Sequence, residues 1–138
     1  MSVVNELLCA GPDGSINFGN HLLKNKTKKE DFEFGGNTWK VKTYTTLTRL
    51  EKNGMFVYES VPGTSVFNFR ETGEGLSFSV AGAVDAQITL GLATDSAYAV
   101  YVADELIGEM NTNLSGKLSL SVELGAKEAV PVRINSTQ

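Results

Sequence analysis

The sequence predicts an all-β protein, a β-sandwich or barrel, and three observations carry that expectation. Apolar and polar residues alternate from Trp39 onward over most of the chain, the period of a half-buried strand. Turn residues recur about every eight to twelve positions, the spacing of an antiparallel meander. Asn53-Gly54 stands between two alternating runs, a strong short hairpin signal because both turn positions need positive φ.

The elements follow in order. Val3 to Cys9 is too short to assign. His21 to Glu30 carries Lys24, Lys26, Lys28 and Lys29 without a clean apolar face and reads as loop or edge strand. Trp39, Val41 and Thr43 share one strand face, with Lys40, Lys42 and Tyr44 on the other. Leu47 to Leu50 leads into the Asn53-Gly54 turn, Met55 to Val61 returns, and Pro62-Gly63 closes that unit. Val66, Asn68 and Arg70 alternate in face with Phe67 and Phe69. The turn Glu71 to Gly75 then feeds Leu76 to Val80. Gln87 to Leu92, Ala97 to Ala103, Lys117 to Leu124 and Val130 to Ile134 complete the strands. Phe67, Phe69, Phe78 and Tyr98 are expected in the core.

Length and charge bound the organisation. A chain of 138 residues with 41% hydrophobic and 20% charged residues is one domain able to bury a core without a metal or disulfide. Residues 1–69 hold eight Lys/Arg and seven Asp/Glu, whereas residues 70–138 hold four against nine. The change falls near the Pro62-Gly63 turn, so two small packed subdomains meeting near residues 62–65 are the alternative to a single domain over 1–138.

Composition also excludes functions. A net charge of −4 and no broad basic patch argue against nucleic acid, although Lys40, Lys42 and Tyr44 interleave charge and aromatics as an oligonucleotide-binding strand does. One cysteine and one histidine leave neither a disulfide framework nor a multi-histidine metal site. Neither a phosphate-binding glycine loop nor a D-x-D-x-G calcium loop occurs, so no cofactor and no metal are expected, even where Asp85, Asp95 and Asp104 sit at successive turns. The first residues, MSVVNELLCAGPDG, do not read as a signal peptide, and no apolar run is long enough to span a membrane; a cytoplasmic protein is the expectation, with a mature exported domain as the alternative. The N-x-S/T triplets at Asn25, Asn113 and Asn135 have meaning only in a eukaryotic secreted protein.

The chain carries two resemblances. The segment ITLGLATDSAYAVYVADELIGEMNTNLSGKLSLSVEL resembles a bacterial immunoglobulin-like or fibronectin-like β-module. Tyr98, Val100 and Val102 match its Tyr-x-Val-x-Val strand, Thr112 and Gly116 its T-x-x-x-G step, and Leu118, Leu120 and Val122 its last amphipathic strand. Where such modules turn on Asp-Gly, this chain has Asp104-Glu105, which implies a longer turn. The resemblance implies an Ig-like sandwich over about residues 66–138, with a jelly-roll as the other form of sandwich. The stretches FGNHLLKNKTKKEDFEF, WKVKTYTTLTRLEKNGMFVYESVPGT and TNLSGKLSLSVEL are similar to a family of short, largely uncharacterised proteins of anaerobic gut Firmicutes, some of which carry the label endosialidase. That label implies a small glycan hydrolase.

The residues set this reading against others. A propeller sialidase uses an arginine cluster, a Tyr nucleophile with a Glu partner, and Asp-box turns. Here there are Arg49, Arg70 and Arg133, a Tyr58-Glu59 pair and a half-matched Asp box. In that box Gly36, Thr38 and Trp39 fit, but Phe32 and Phe34 replace Ser and Asp. Neighbouring strand residues face opposite ways, so Tyr58 and Glu59 do not meet, and 138 residues cannot build six propeller blades. Glu30, Asp31 and Glu33 cluster, as do Asp104, Glu105 and Glu109; such groups are either the carboxylate pair of a glycosidase or solvated turn faces. Cys9 with His21 is the lone thiol–imidazole combination, against a buried thiol and a surface histidine.

The reading that remains is a non-catalytic module acting by surface recognition or self-assembly. Trp39, Tyr44 and Tyr58, with Phe32 and Phe34 nearby, either form a glycan-stacking platform or protein interface or fill the core. Leu118, Leu120 and Val122 alternate with Ser119 and Ser121 and few charges, so that strand either lies centrally or pairs across a subunit boundary. The partners implied are a glycan or a second copy of the chain in a homo-oligomer.

Overall fold

A computed structural model of the chain describes residues 2–125 and 128–137. Thirteen strands fill it: β1 Leu8–Ala10, β2 Ile16–Phe18, β3 Thr27–Phe34, β4 Asn37–Thr43, β5 Thr48–Lys52, β6 Met55–Val61, β7 Ser65–Thr72, β8 Gly75–Ala81, β9 Ala86–Gly91, β10 Ala97–Val102, β11 Glu105–Asn111, β12 Lys117–Val122 and β13 Val130–Ser136. One 3-10 turn, Pro12–Gly14, interrupts them, and the described residues include no α-helix. The strands form two antiparallel sheets packed as a β-sandwich. Sheet A runs β1-β2-β7-β8-β13-β10-β11 and sheet B runs β12-β9-β6-β5-β4-β3. Each sheet takes strands from both sides of residues 62–65. β1 touches β3, as when Lys29 Nζ donates to the Leu8 carbonyl at 2.8 Å; edges β11 and β12 therefore flank the opposite side.

Local chemistry explains most of this. In β4, Trp39, Val41 and Thr43 face inward while Lys40 and Lys42 stay half-exposed, so the alternation fixes the face as expected. Asn53 and Gly54 both have positive φ (53° and 79°), the left-handed pair a two-residue hairpin needs. The core holds Leu8, Phe18, Val41, Leu50, Tyr58, Val66, Ile88, Leu90, Val100 and Ile134 at 0% exposure. At its centre the Phe18 ring meets Tyr58 and Phe69 edge-on at 5.2 and 5.5 Å, and Phe78 meets Tyr58 at 5.7 Å. Such edge-to-face pairs add about 0.5–1.5 kcal/mol each beyond the area they bury.

Two expectations are corrected. Phe67 is not a core residue. Asn68 adopts φ 56° and shifts the β7–β8 register between Phe67 and Arg70, a bulge that turns both Val66 and Phe69 inward and leaves Phe67 half-exposed. The Asn17 side-chain oxygen accepts from the Asn68 N–H at 2.8 Å, satisfying the donor that the bulge withdraws from the ladder. The turn after β10 is not long: Ala103 and Asp104 carry φ of 53° and 64°, a tight turn one residue earlier than the Asp104-Glu105 position. It delivers an unforeseen strand, β11, whose interior Gly108 and acids Glu105 and Glu109 hide any strand period.

Beneath the β6–β7 turn lies a chain of buried hydroxyls. Tyr58 Oη and Ser60 Oγ each lie 2.7 Å from Thr64 Oγ1. Thr48 Oγ1 donates to the Thr64 carbonyl at 2.7 Å and lies 2.8 Å from Thr43 Oγ1. Gly63 closes this corner, and any Cβ there would run into the Tyr44 carbonyl.

Candidate functional site

The bulge at Asn68 has a consequence on the outer face of sheet A. With Phe69 turned inward, Arg70 points to solvent and pairs across the sheet with Ser77. Ser77 in turn faces Arg133, and Arg133 faces Tyr101. Four adjacent strands, β7-β8-β13-β10, thus set Arg70, Ser77, Arg133 and Tyr101 in one row across the sheet. At roughly 4.8 Å per strand, the Cα atoms of the two arginines stand about 10 Å apart with a serine hydroxyl between them. The row floors a shallow cleft of about 260 Å³ whose walls include Asn68, Ser79, Asp104 and Pro131.

The two arginines of the row differ from Arg49 in their charge partners. On the outer face of sheet B, Arg49 is tied to Glu51 and Glu59 at 3.2 and 3.4 Å. Lys28 and Lys40 share Glu30, and Lys52 holds Glu71 at 2.8 Å. Among the described residues, neither Arg70 nor Arg133 has a carboxylate at ion-pair distance. The guanidinium carbon of Arg133 sits 4.3 Å from the centre of the Tyr101 ring, a cation–π contact that restrains its plane. With the Asn135 amide oriented to satisfy both neighbours, its oxygen accepts from Arg133 Nε at 3.3 Å. A restrained guanidinium, an exposed one and a hydroxyl between them, with no carboxylate paired to either arginine among the described residues, are the complement of a planar oxyanion.

The aromatic and edge-strand residues singled out from the sequence lie elsewhere. Tyr58 is wholly buried, and burial raises its hydroxyl pKa; it is neither a stacking surface nor a nucleophile. Trp39 is 6% exposed, its Nε1 donating to the Phe34 carbonyl at 3.1 Å. Tyr44 is half-buried at the β4–β5 turn. Trp39 and Tyr58 thus belong to the core, whereas Tyr44 lies beyond the end of β4. Leu118, Leu120 and Val122 also face inward, at 2%, 5% and 1% exposure, and pack in the core of this chain. Their strand β12 is nonetheless an edge of sheet B, not a central strand.

The other candidates do not converge. His21 Nδ1 lies 2.7 Å from Ser65 Oγ, while Cys9 Sγ faces the Asn17 amide at 3.8 Å. Asp85 accepts from the Leu124 N–H at 3.0 Å, and Glu30 is held by its lysines. No group of three or more His, Cys, Asp or Glu among the described residues is arranged to hold a metal. Among the described residues no helix is long and apolar enough to cross a membrane. Sequence reasoning named Arg70 and Arg133 but missed Tyr101, whose only signal was its place between the inward Val100 and the strand end.

No family model, curated protein or solved structure matches the chain.

Proposed function

We propose that the protein is a non-catalytic recognition module that binds a carboxylate-bearing glycan on the outer face of sheet A. One observation carries the reading: Arg70 and Arg133 stand in register on either side of Ser77 without carboxylate partners. A protein of net charge −4 that leaves two in-line arginines unpaired has an anion as their natural partner. Shallow width suits a chain of sugars lying along the sheet, with Tyr101 and Pro131 as apolar contacts and the Ser77 and Ser79 hydroxyls as polar ones.

The test is binding of acidic oligosaccharides, sialylated and uronate-containing, with neutral ones as controls. Each arginine that meets a carboxylate contributes about 1.5–3 kcal/mol. Arg70→Ala and Arg133→Ala should therefore each weaken acidic binding by roughly 10- to 100-fold. Neutral glycans binding as well as acidic ones, or a double variant that binds normally, would overturn the proposal. The competing reading is a small glycan hydrolase of the endosialidase kind, which needs an acid at the cleft; Asp104 is the carboxylate that lines it. Cleavage products lost on Asp104→Asn would favour that enzyme instead.

A further inference from the structure

The four sheet edges are not alike. β1 is three residues long. β3 carries Lys28, Lys29, Glu30, Asp31 and Glu33 and a bulge with Asp31 at φ 60°. β11 is broken by a register shift opposite β10 and bears Glu105 and Glu109. Short length, charges and bulges are the devices that keep edges from pairing. β12 is regular and carries a single charge, Lys117 at its first residue. It pairs with β9 without a register shift from Lys117 to Val122, and holds neither proline nor charge between Lys117 and Glu123.

Its unpaired backbone is also defined. The N–H of Lys117 donates to the Asn113 side chain at 3.0 Å and its carbonyl accepts from the Asn113 N–H at 3.1 Å, so that residue faces away from β9 and is satisfied within its turn. In an antiparallel strand the backbone groups alternate in direction. Ser119 and Ser121 therefore present N–H and C=O groups outward. On the solvent face Ser119 bonds Thr89 and Ser121 bonds Gln87, leaving a flat polar strip.

We infer that β12 is a self-pairing edge: two copies of the chain join β12 to β12 antiparallel, about a two-fold axis at Leu120, extending sheet B through both subunits. The occupant is set by the strand's own sequence. In that register Ser119 pairs with Ser121 of the partner subunit, exchanging both backbone hydrogen bonds. Leu118 lies beside Val122 of the partner subunit, and Lys117 stands opposite Glu123 of the partner subunit. Lys117 and Glu123 are both exposed, on the same face as the serines, so a second copy supplies the opposite charge at each end. On the same side of the sandwich β11 exposes Leu106 and Ile107 at 57% and 54%, apolar surface that a side-by-side partner covers. This inference is independent of the arginine row.

Light scattering on a sizing column, over a wide concentration range, reads the result. The expected mass is twice 14.8 kDa. Lys117→Glu and Glu123→Lys each set like charges opposite one another and should raise the dimer dissociation constant on the order of tenfold, while the double exchange restores it. Ser119→Pro removes an outward N–H without touching the β9 ladder and should give monomers; circular dichroism confirms that each variant is folded. A wild type that stays monomeric throughout, a different multiple, or a dimer indifferent to the charge exchange would overturn the inference.

Discussion

His21 Nδ1 lies 2.7 Å from Ser65 Oγ, with both residues buried beside the β6–β7 turn. Burial lowers the imidazole pKa below its usual 6.5, so the fold holds the ring neutral. The unfolded chain then binds more protons than the folded one as pH drops from above 6.5, and stability falls with it. Urea unfolding from about pH 7.5 down to about pH 5, on both sides of the ordinary histidine pKa of roughly 6.5, should show that decline, and His21→Gln should flatten it. A slope the same in both proteins would refute the assignment.

The buried hydroxyl chain makes a second claim. Tyr58→Phe removes the group bonded to Thr64 Oγ1 and keeps the ring in its aromatic cluster. Loss of one buried hydrogen bond costs about 1–2 kcal/mol, read as a lower denaturant midpoint at unchanged slope. No change would mean that the hydroxyl contributes nothing there.

The bulge at Asn68 separates two neighbouring phenylalanines. Phe69→Ala empties a core site and should cost about 3–5 kcal/mol, whereas Phe67→Ala, on the outer face, should cost less than about 1 kcal/mol. Equal costs in thermal or chemical unfolding would mean that β7 keeps a regular alternation.

Tyr101 positions Arg133 through the ring face. Tyr101→Leu keeps the apolar bulk but not the cation–π contact, worth about 0.5–1 kcal/mol at an exposed site. Acidic-glycan affinity should drop a few-fold, about 2–5, and should fall further with salt, as for any exposed charge pair. A variant that binds as the wild type does would place the ligand away from Arg133.

Much of the fold was legible because its signals are local. The period of two over Trp39–Thr43 and the Asn53-Gly54 pair fix face and turn within a few residues, whatever lies elsewhere. The same locality misled at Phe67, where a single left-handed asparagine resets the period, and at β11, where a glycine and acids mask it. Aromatic richness around Trp39 and Tyr58 was visible as well. Its meaning was not, since a ring that fills a core and one that stacks on a sugar read alike in sequence.

By itself, then, the sequence determined the all-β class, the faces of most strands and the tight hairpins, each a matter of steric preference between near neighbours. Only the tertiary structure decided that β13 inserts between β8 and β10, bringing Arg133 into line with Arg70. It alone left β12 on a free edge with its leucines inward. Both outcomes depend on which distant strands share hydrogen bonds, and that choice follows from burying two whole sheet faces against each other rather than from any period along the chain.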